Sequence, residues 1–224
     1  KLYLAFFKPM SENYWQGNLK KYGLEYRSRS DCGVERSDPE WTVVDSQDPA
    51  QLAGNCDGTF TPSSISYWST QGDGGYVDRG GVGERLLAAM PGTPDSVLLP
   101  ASVTDWWAHR KIYTYKGAAD GSLVQFNHDN IANADLQLGS SDDYIRYRII
   151  NFMYGYTYDS KDTDDPAPKE KRAWVLGDII HSEPRLIDYL DPSDGSLEKR
   201  YIVVGANDGM LHVFDDETGD EVFA

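Results

Sequence analysis

A chain of 224 residues with a net charge of −15 and a pI near 4.5 lacks the Lys/Arg footprint that nucleic acid requires. It is no better suited to anchoring on anionic lipid. The length allows a real core, as one all-β domain or two small ones, and 12% aromatic with 40% hydrophobic residues reads as a loop-rich, exported β protein whose carboxylates are available to calcium.

Residues 2–7 form a strand ended by Lys8 and Pro9, far too short for a signal h-region or a membrane span. The chain starts without Met and stops at Ala224 within a strand-and-turn unit, which reads as an internal or processed piece of a longer protein. Residues 14–24 suggest a second strand, with Trp15 and Leu19 as candidate core contacts. Residues 25–80 are dense in Asp, Gly, Ser and Pro, with one short strand around 41–44. They read as a long decorated insertion, tied down by a disulfide rather than by a core of its own.

Two cysteines, Cys32 and Cys56, stand 24 positions apart (56 − 32) in that insertion. In an exported chain they would be joined, closing a loop worth about 3 kcal/mol in the chain-entropy model. The alternative is two unrelated buried thiols. Neither has a second Cys or His at metal-ligand spacing, which argues against zinc.

Residues 80–90 predict a helix of about two turns halted by Pro91 and Gly92. Their G-x-G start at 81–83 lacks the third glycine and the preceding strand of a dinucleotide fold. Residues 110–115 and 122–126 pair as a hairpin across Gly117 and Gly121. The clearest helix runs over 141–154. Ser140 or Ser141 caps it, acids fill its first turn, and Ile145, Ile149, Phe152 and Met153 form its apolar stripe, with Gly155 as its stop. Tyr144, Tyr147, Tyr154, Tyr156 and Tyr158, with Trp106 and Trp107, make either an adhesive aromatic surface or a half-buried β core.

Asp159, Asp162, Asp164 and Asp165 suggest a calcium loop, since Ca²⁺ takes six to eight oxygens. Their spacing lacks the D-x-D-x-D pattern and the turn glycine, and Pro166 stiffens the exit, so a solvated acidic loop is the stronger reading. His109, His128, His181 and His212 have no i, i+3 or i+4 partner among themselves, so each reads as a packed or surface residue. No G-x-S-x-G, P-loop, H-E-x-x-H or C-x-x-C-H occurs, and nothing assembles a nucleophile with its base.

The C-terminal part is a meander. Residues 177–184 lead into a strand at 185–189. Residues 201–204 form a continuous apolar, β-branched strand, Asn207-Asp208-Gly209 makes the turn, and 210–214 is the return strand. Leu211 and Val213 lie on one face of it; Met210, His212 and Phe214 lie on the other. A second polar turn at 215–219 precedes a third strand from Glu221.

The strings G-D-I-I-H-S-E-P at 177–184 and V-G-A-N-D-G-M-L-H-V-F-D-x-x-T-G at 204–219 resemble quinoprotein-type propeller blades. With W-x-G-N-L-K-x-Y at 15–22, G-G-x-G-E-x-L-L at 80–87 and R-x-I-Y-T at 110–114, they are specifically similar to PilY-type proteins. These are type IV pilus biogenesis factors and tip adhesins with a C-terminal β-propeller. The resemblance implies a mainly β, quinoprotein-like partial propeller with long loop insertions and a few short helices. Residues 1–172 would be its decorated N-terminal part and 173–224 its blade sequence. It implies a non-enzymatic protein at the cell surface or pilus tip, exported through the periplasm or outer membrane. Minor pilins and a host or abiotic surface would be its partners.

The signature positions are Asp178, His181, Ser182, Pro184, Gly205, Asn207, Asp208, Gly209, Asp215, Thr218 and Gly219. For Asn207, Asp208, Asp215 and Thr218 a ligand or metal role at the propeller rim competes with a structural one in the two turns, and the structural one is the stronger. The family's calcium loop, D-x-D-x-D-N-x-x-D, does not occur, which puts calcium outside this segment. Two rival readings are a quinoprotein dehydrogenase carrying PQQ and a purely structural repeat module. Many of those dehydrogenases join adjacent cysteines at the cofactor, and Cys32 and Cys56 are not adjacent.

Overall fold

The computed structural model describes residues 1–11, 15–29, 38–91, 107–117, 121–157 and 170–224. In chain order the elements are β1 (Leu2–Lys8), β2 (Gln16–Arg27), β3 (Glu40–Val44), α1 (Gly81–Ala89), β4 (Tyr113–Tyr115), β5 (Leu123–Gln125), a 3-10 turn (Asn133–Leu136) and α2 (Asp143–Met153). They continue with β6 (Tyr156–Thr157), β7 (Glu170–Lys171), β8 (Arg185–Leu190), β9 (Leu197–Gly205), β10 (Leu211–Asp215) and β11 (Glu221–Phe223). The protein is mainly β, in several small sheets, and no barrel closes among the described residues.

Contacts divide the chain into two compact units that interleave in sequence. One is Lys1–Leu86 with Leu176–Asp220; the other is Leu87–Val175 with Glu221–Ala224. Composition gives no sign of this division, because the two pieces of each unit are brought together by packing rather than by proximity in the chain.

In the first unit β2 is long because it serves two partners in turn. Its first half pairs with β1, from Gln16 opposite Lys8 to Tyr22 opposite Leu2. Its second half pairs with β3, from Gly23 opposite Val44 to Arg27 opposite Glu40. The handover falls at Gly23, where a Cβ would lie 2.7 Å from the Val44 side chain. The strand therefore runs past the expected end at residue 24, into a polar stretch that pattern alone marks as loop. A second antiparallel sheet sets β9 between β8 and β10, with Ile202 opposite both Leu186 and Phe214.

Leu19 from β2, Ile202 and Val204 from β9, Phe214 from β10, and Val82 and Leu86 from α1 share one core with Trp68, Leu176 and Ile179. Each such burial contributes about 1.5–3 kcal/mol. Leu19 is a core residue as expected, but Trp15 is not. It stacks on the half-exposed Phe7 (ring centroids 6.1 Å apart) at the open end of the β1–β2 pair. The segment after β2 is also no loose insertion. Val44, Ala53, Ser66, Trp68, Asp73 and Val77 are all buried, and Trp68 anchors the segment in the shared core. All six residues of β8 are exposed, including the apolar Leu186, Ile187, Tyr189 and Leu190.

In the second unit β4 and β5 form the expected hairpin, Tyr115 opposite Leu123, and β6 pairs with β7. Ala224 bridges to residues 111–113, donating its N–H to the Lys111 carbonyl (3.0 Å) and accepting that of Tyr113 (2.8 Å). Helix α2 starts one turn-residue later than the serines suggest. Its N-cap is Asp142, whose carboxylate accepts the Gly139 N–H (2.8 Å) and makes no cap bond to the helix. The fully buried positions are Ile150, Asn151 and Tyr154; of the expected stripe Ile145, Ile149 and Met153 are half-buried and Phe152 is exposed. Gly155 stops the helix with φ +97°.

Arg146 is drawn inward on the same side as Ile150, one turn before it. Its guanidinium donates to the carbonyls of His128 (2.9 Å) and Ile131 (3.0 Å) and to Asn133 Oδ1 (3.0 Å), and pairs with Asp143 (3.3 Å).

Candidate functional site

Two of the signature strings meet in the first unit. The Asn207 N–H donates to the Asp178 carbonyl (2.8 Å), and its side-chain amide donates to Asp178 Oδ1 (2.7 Å). The Asp208 carboxylate accepts the N–H of Gly177 (3.1 Å) and of Met210 (3.2 Å). It also faces His212 Nε2 at 3.1 Å through both oxygens. Burial raises the Asp208 pKa, but the His212 contact and the two backbone donors outweigh it and leave the carboxyl below its ordinary range. Gly177 must be glycine, since a Cβ there would lie 2.5 Å from the Asp208 nitrogen.

The remaining signature residues serve the same scaffold. Ser182 Oγ accepts the Gly205 N–H (3.0 Å). Gly209 takes φ +87° in the turn. Asp215 Oδ1 accepts the N–H of Glu217 (2.8 Å) and Thr218 (3.3 Å), and Thr218 Oγ1 that of Asp220 (3.2 Å). Gly219 lies against Trp68, whose ring a Cβ would approach to 2.5 Å. Pro184 directly precedes β8, and His181 is exposed beside it. Every one of these contacts is internal to the fold, and the cluster is a latch between the 177–182 loop and the β9–β10 turn.

A second cluster was not legible as such in the sequence. Within W-x-G-N-L-K-x-Y, Gly17 packs where a Cβ would lie 2.1 Å from the Gly177 carbonyl. Asn18 is fully buried, donating to the carbonyls of Val77 and Gly80 (each 2.9 Å) and accepting the Gly83 N–H (3.1 Å). It thereby holds the start of α1, whose Glu84 accepts the Gly80 N–H (2.6 Å). Lys20 forms a buried ion pair with Asp73 (3.1 Å), and Tyr22 donates to the Gly74 carbonyl (2.9 Å). Lys21 pairs with Asp216 (2.8 Å) beside Tyr3, which donates to the same carboxylate (2.7 Å). The one available signal was that a strand carried consecutive lysines between apolar neighbours.

In the second unit Tyr154 and Tyr156 are fully buried, the His109 ring lies edge-on to both, and Tyr147 packs on His128 (4.8 Å). This part of the tyrosine cluster is core; Tyr144 is partly exposed, and Tyr158 and Trp106 lie outside the described residues. An open cleft of about 430 Å³ is lined by Lys116, Asp129, Asn130, Asn133 and Arg146. Lys116 is engaged there with Asp135 (2.7 Å).

Among the described residues no group of His, Cys, Asp or Glu is placed to hold a metal ion. Asp159, Asp162, Asp164 and Asp165, the candidate calcium positions, lie outside the described residues. Cys56 is disulfide-bonded, and Cys32 lies outside the described residues.

No family model and no solved structure matches this chain. Over 136 residues, 53% of its length, it is 29% identical to a protein of Xylella fastidiosa (strain Temecula1) named Type IV pilus biogenesis factor PilY1 homolog. The chain covers only 10% of that relative's length. It is thus similar to a PilY1 homologue over about half of its own residues, along a small part of that protein.

Proposed function

We propose that this chain is part of a type IV pilus-associated protein that acts, without catalysis, in pilus biogenesis and surface adhesion from a β-propeller platform. The observation that carries the proposal is the similarity to the PilY1 homologue over 136 residues. The consecutive antiparallel strands β8, β9 and β10 support it, because meanders of this kind build propeller blades. The apolar side chains exposed along β8 are consistent with a blade that further blades would cover.

A location at the cell surface or pilus tip, contact with minor pilins, and contact with a host or abiotic surface all belong to this proposal. So does the pairing of Cys56 with Cys32. Calcium, where the whole protein uses it, is assigned outside this segment. No helix among the described residues is long and apolar enough to cross a membrane.

Deleting the encoding gene and counting surface pili by electron microscopy tests the reading. Loss of surface pili, restored by the gene in trans, is the expected result. Unchanged piliation with a quinone absorbance in the purified protein would support the dehydrogenase instead.

A further inference from the structure

Lys20 and Asp73 bring a primary amine and a carboxyl group together where water does not reach. Their side chains are 0% and 2% exposed, and Nζ lies 3.1 Å from Oδ2. The two other N–H bonds of Lys20 point at the carbonyls of Asp73 (2.7 Å) and Gly74 (3.0 Å). The carboxylate is held just as firmly. Oδ1 accepts the Ser66 N–H (2.8 Å), and Oδ2 accepts the hydroxyls of Ser66 (2.6 Å) and Ser69 (2.9 Å).

We propose that Lys20 and Asp73 condense into an intramolecular isopeptide bond, a covalent staple between β2 and the loop that carries Asp73.

The existing hydrogen bonds set out the step. Lys20 passes one proton to Oδ2, the acceptor it already faces, and becomes a neutral amine. Burial favours that form by lowering the amine pKa, while the Asp73 carboxylate acts in the opposite sense. Two N–H bonds stay on the carbonyls of Asp73 and Gly74, so the freed lone pair points at the carboxyl group. It attacks Cγ, and the charge that develops on Oδ1 meets the Ser66 N–H, as in an oxyanion hole.

The second amine proton passes to Oδ2, which the Ser66 and Ser69 hydroxyls also face, the Cγ–Oδ2 bond breaks, and water leaves. An ammonium and a carboxylate become one amide and one water, with no oxidant or co-reactant. Two groups fixed in contact have effective molarities on the order of 10⁵ M or more, which offsets the unfavourable equilibrium of amide formation in open water. The staple would close a ring across 53 positions and hold the strand against both pulling and proteolysis. It does not depend on the pilus reading.

Intact mass measurement of the folded 224-residue chain, after reduction and denaturation, tests the proposal. The expected mass is that of the sequence less one water, with a branched peptide joining Lys20 to Asp73 in a tryptic digest. Lys20→Arg and Asp73→Ala chains should each recover the full mass. A full-mass wild-type chain whose Lys20 amine is acylated after denaturation would overturn the proposal. So would a water loss mapped to a succinimide at Asp73-Gly74 with Lys20 free.

Discussion

Asp208 and His212 face each other across the turn between β9 and β10, Nε2 lying 3.1 Å from both carboxylate oxygens, with side chains 2% and 0% exposed. The same carboxylate holds the N–H groups of Gly177 and Met210. Removing it takes one carboxylate away from a buried imidazole and from two backbone donors at once. Asp208→Ala is expected to cost about 3–5 kcal/mol, read by urea denaturation. A loss below about 1 kcal/mol, the worth of an ordinary hydrogen bond, would show that the latch does not hold the loop.

Acid should act in two stages. Burial, helped by the charge of Arg146, depresses the His128 pKa from 6.5 to about 4. A depressed histidine stabilises the fold in full above its unfolded pKa of 6.5 and loses that contribution as pH falls towards 4. Asp208, also depressed, stays fully stabilising until pH drops below its unfolded value of about 3.9. Melting temperature measured from pH 7 to pH 4 should therefore decline, and His128→Phe should flatten that decline while leaving the further loss below pH 4.

Gly209 and Gly219 separate backbone strain from steric clash. Both have positive φ, +87° and +74°, so alanine at either costs about 1–2 kcal/mol of left-handed strain. At Gly209 a Cβ meets nothing within 4 Å, whereas at Gly219 it lies 2.5 Å from the Trp68 ring. Gly219→Ala should thus destabilise by about 1–3 kcal/mol more than Gly209→Ala, the usual cost of overpacking, and shift Trp68 fluorescence. Equal losses with unchanged fluorescence would contradict this packing.

The C-terminal strand should depend on one buried ion pair. Arg110 grips Glu221 through two bonds of 2.6 and 2.7 Å and also donates to the Met153 carbonyl (2.6 Å), with side chains 1% and 4% exposed. Arg110→Met removes both guanidinium bonds to a buried carboxylate and should cost about 3–5 kcal/mol. Hydrogen exchange should show early opening at the Tyr113 amide, which donates to the Ala224 carbonyl, and at the Ala224 amide, which donates to that of Lys111. Adding Glu221→Met to that variant should restore part of the protection.

The meander was legible because its signals are local. The apolar run before Asn207 and the glycine after Asp208 fix strand, turn and return strand without any partner. The helix at 143–153 was legible as a helix, but the fully buried edge at Ile150, Asn151 and Tyr154 was not. Arg146 turns inward to bind carbonyls of residues 128 and 131, and charge on a residue normally marks the outer face. The same limit hid Asn18, Lys20 and Asp73, whose polarity reads as surface until the acceptors that bury them are known. Trp15 failed in the opposite sense, since a large ring at a strand's open end can stack on one neighbour, Phe7, and remain in contact with solvent. The division into interleaved units could not be read at all, because it rests on contacts between residues far apart in the chain.

The proposed association with the type IV pilus rests on the similarity over 136 residues. Shearing pili from cells that carry an epitope tag on this protein, crosslinking, and identifying what the tag retains tests it most directly. The tagged protein should enter the sheared fraction and be crosslinked to minor pilins. A tagged protein that stays wholly with the cells, with no pilin among its crosslinked partners, would contradict it.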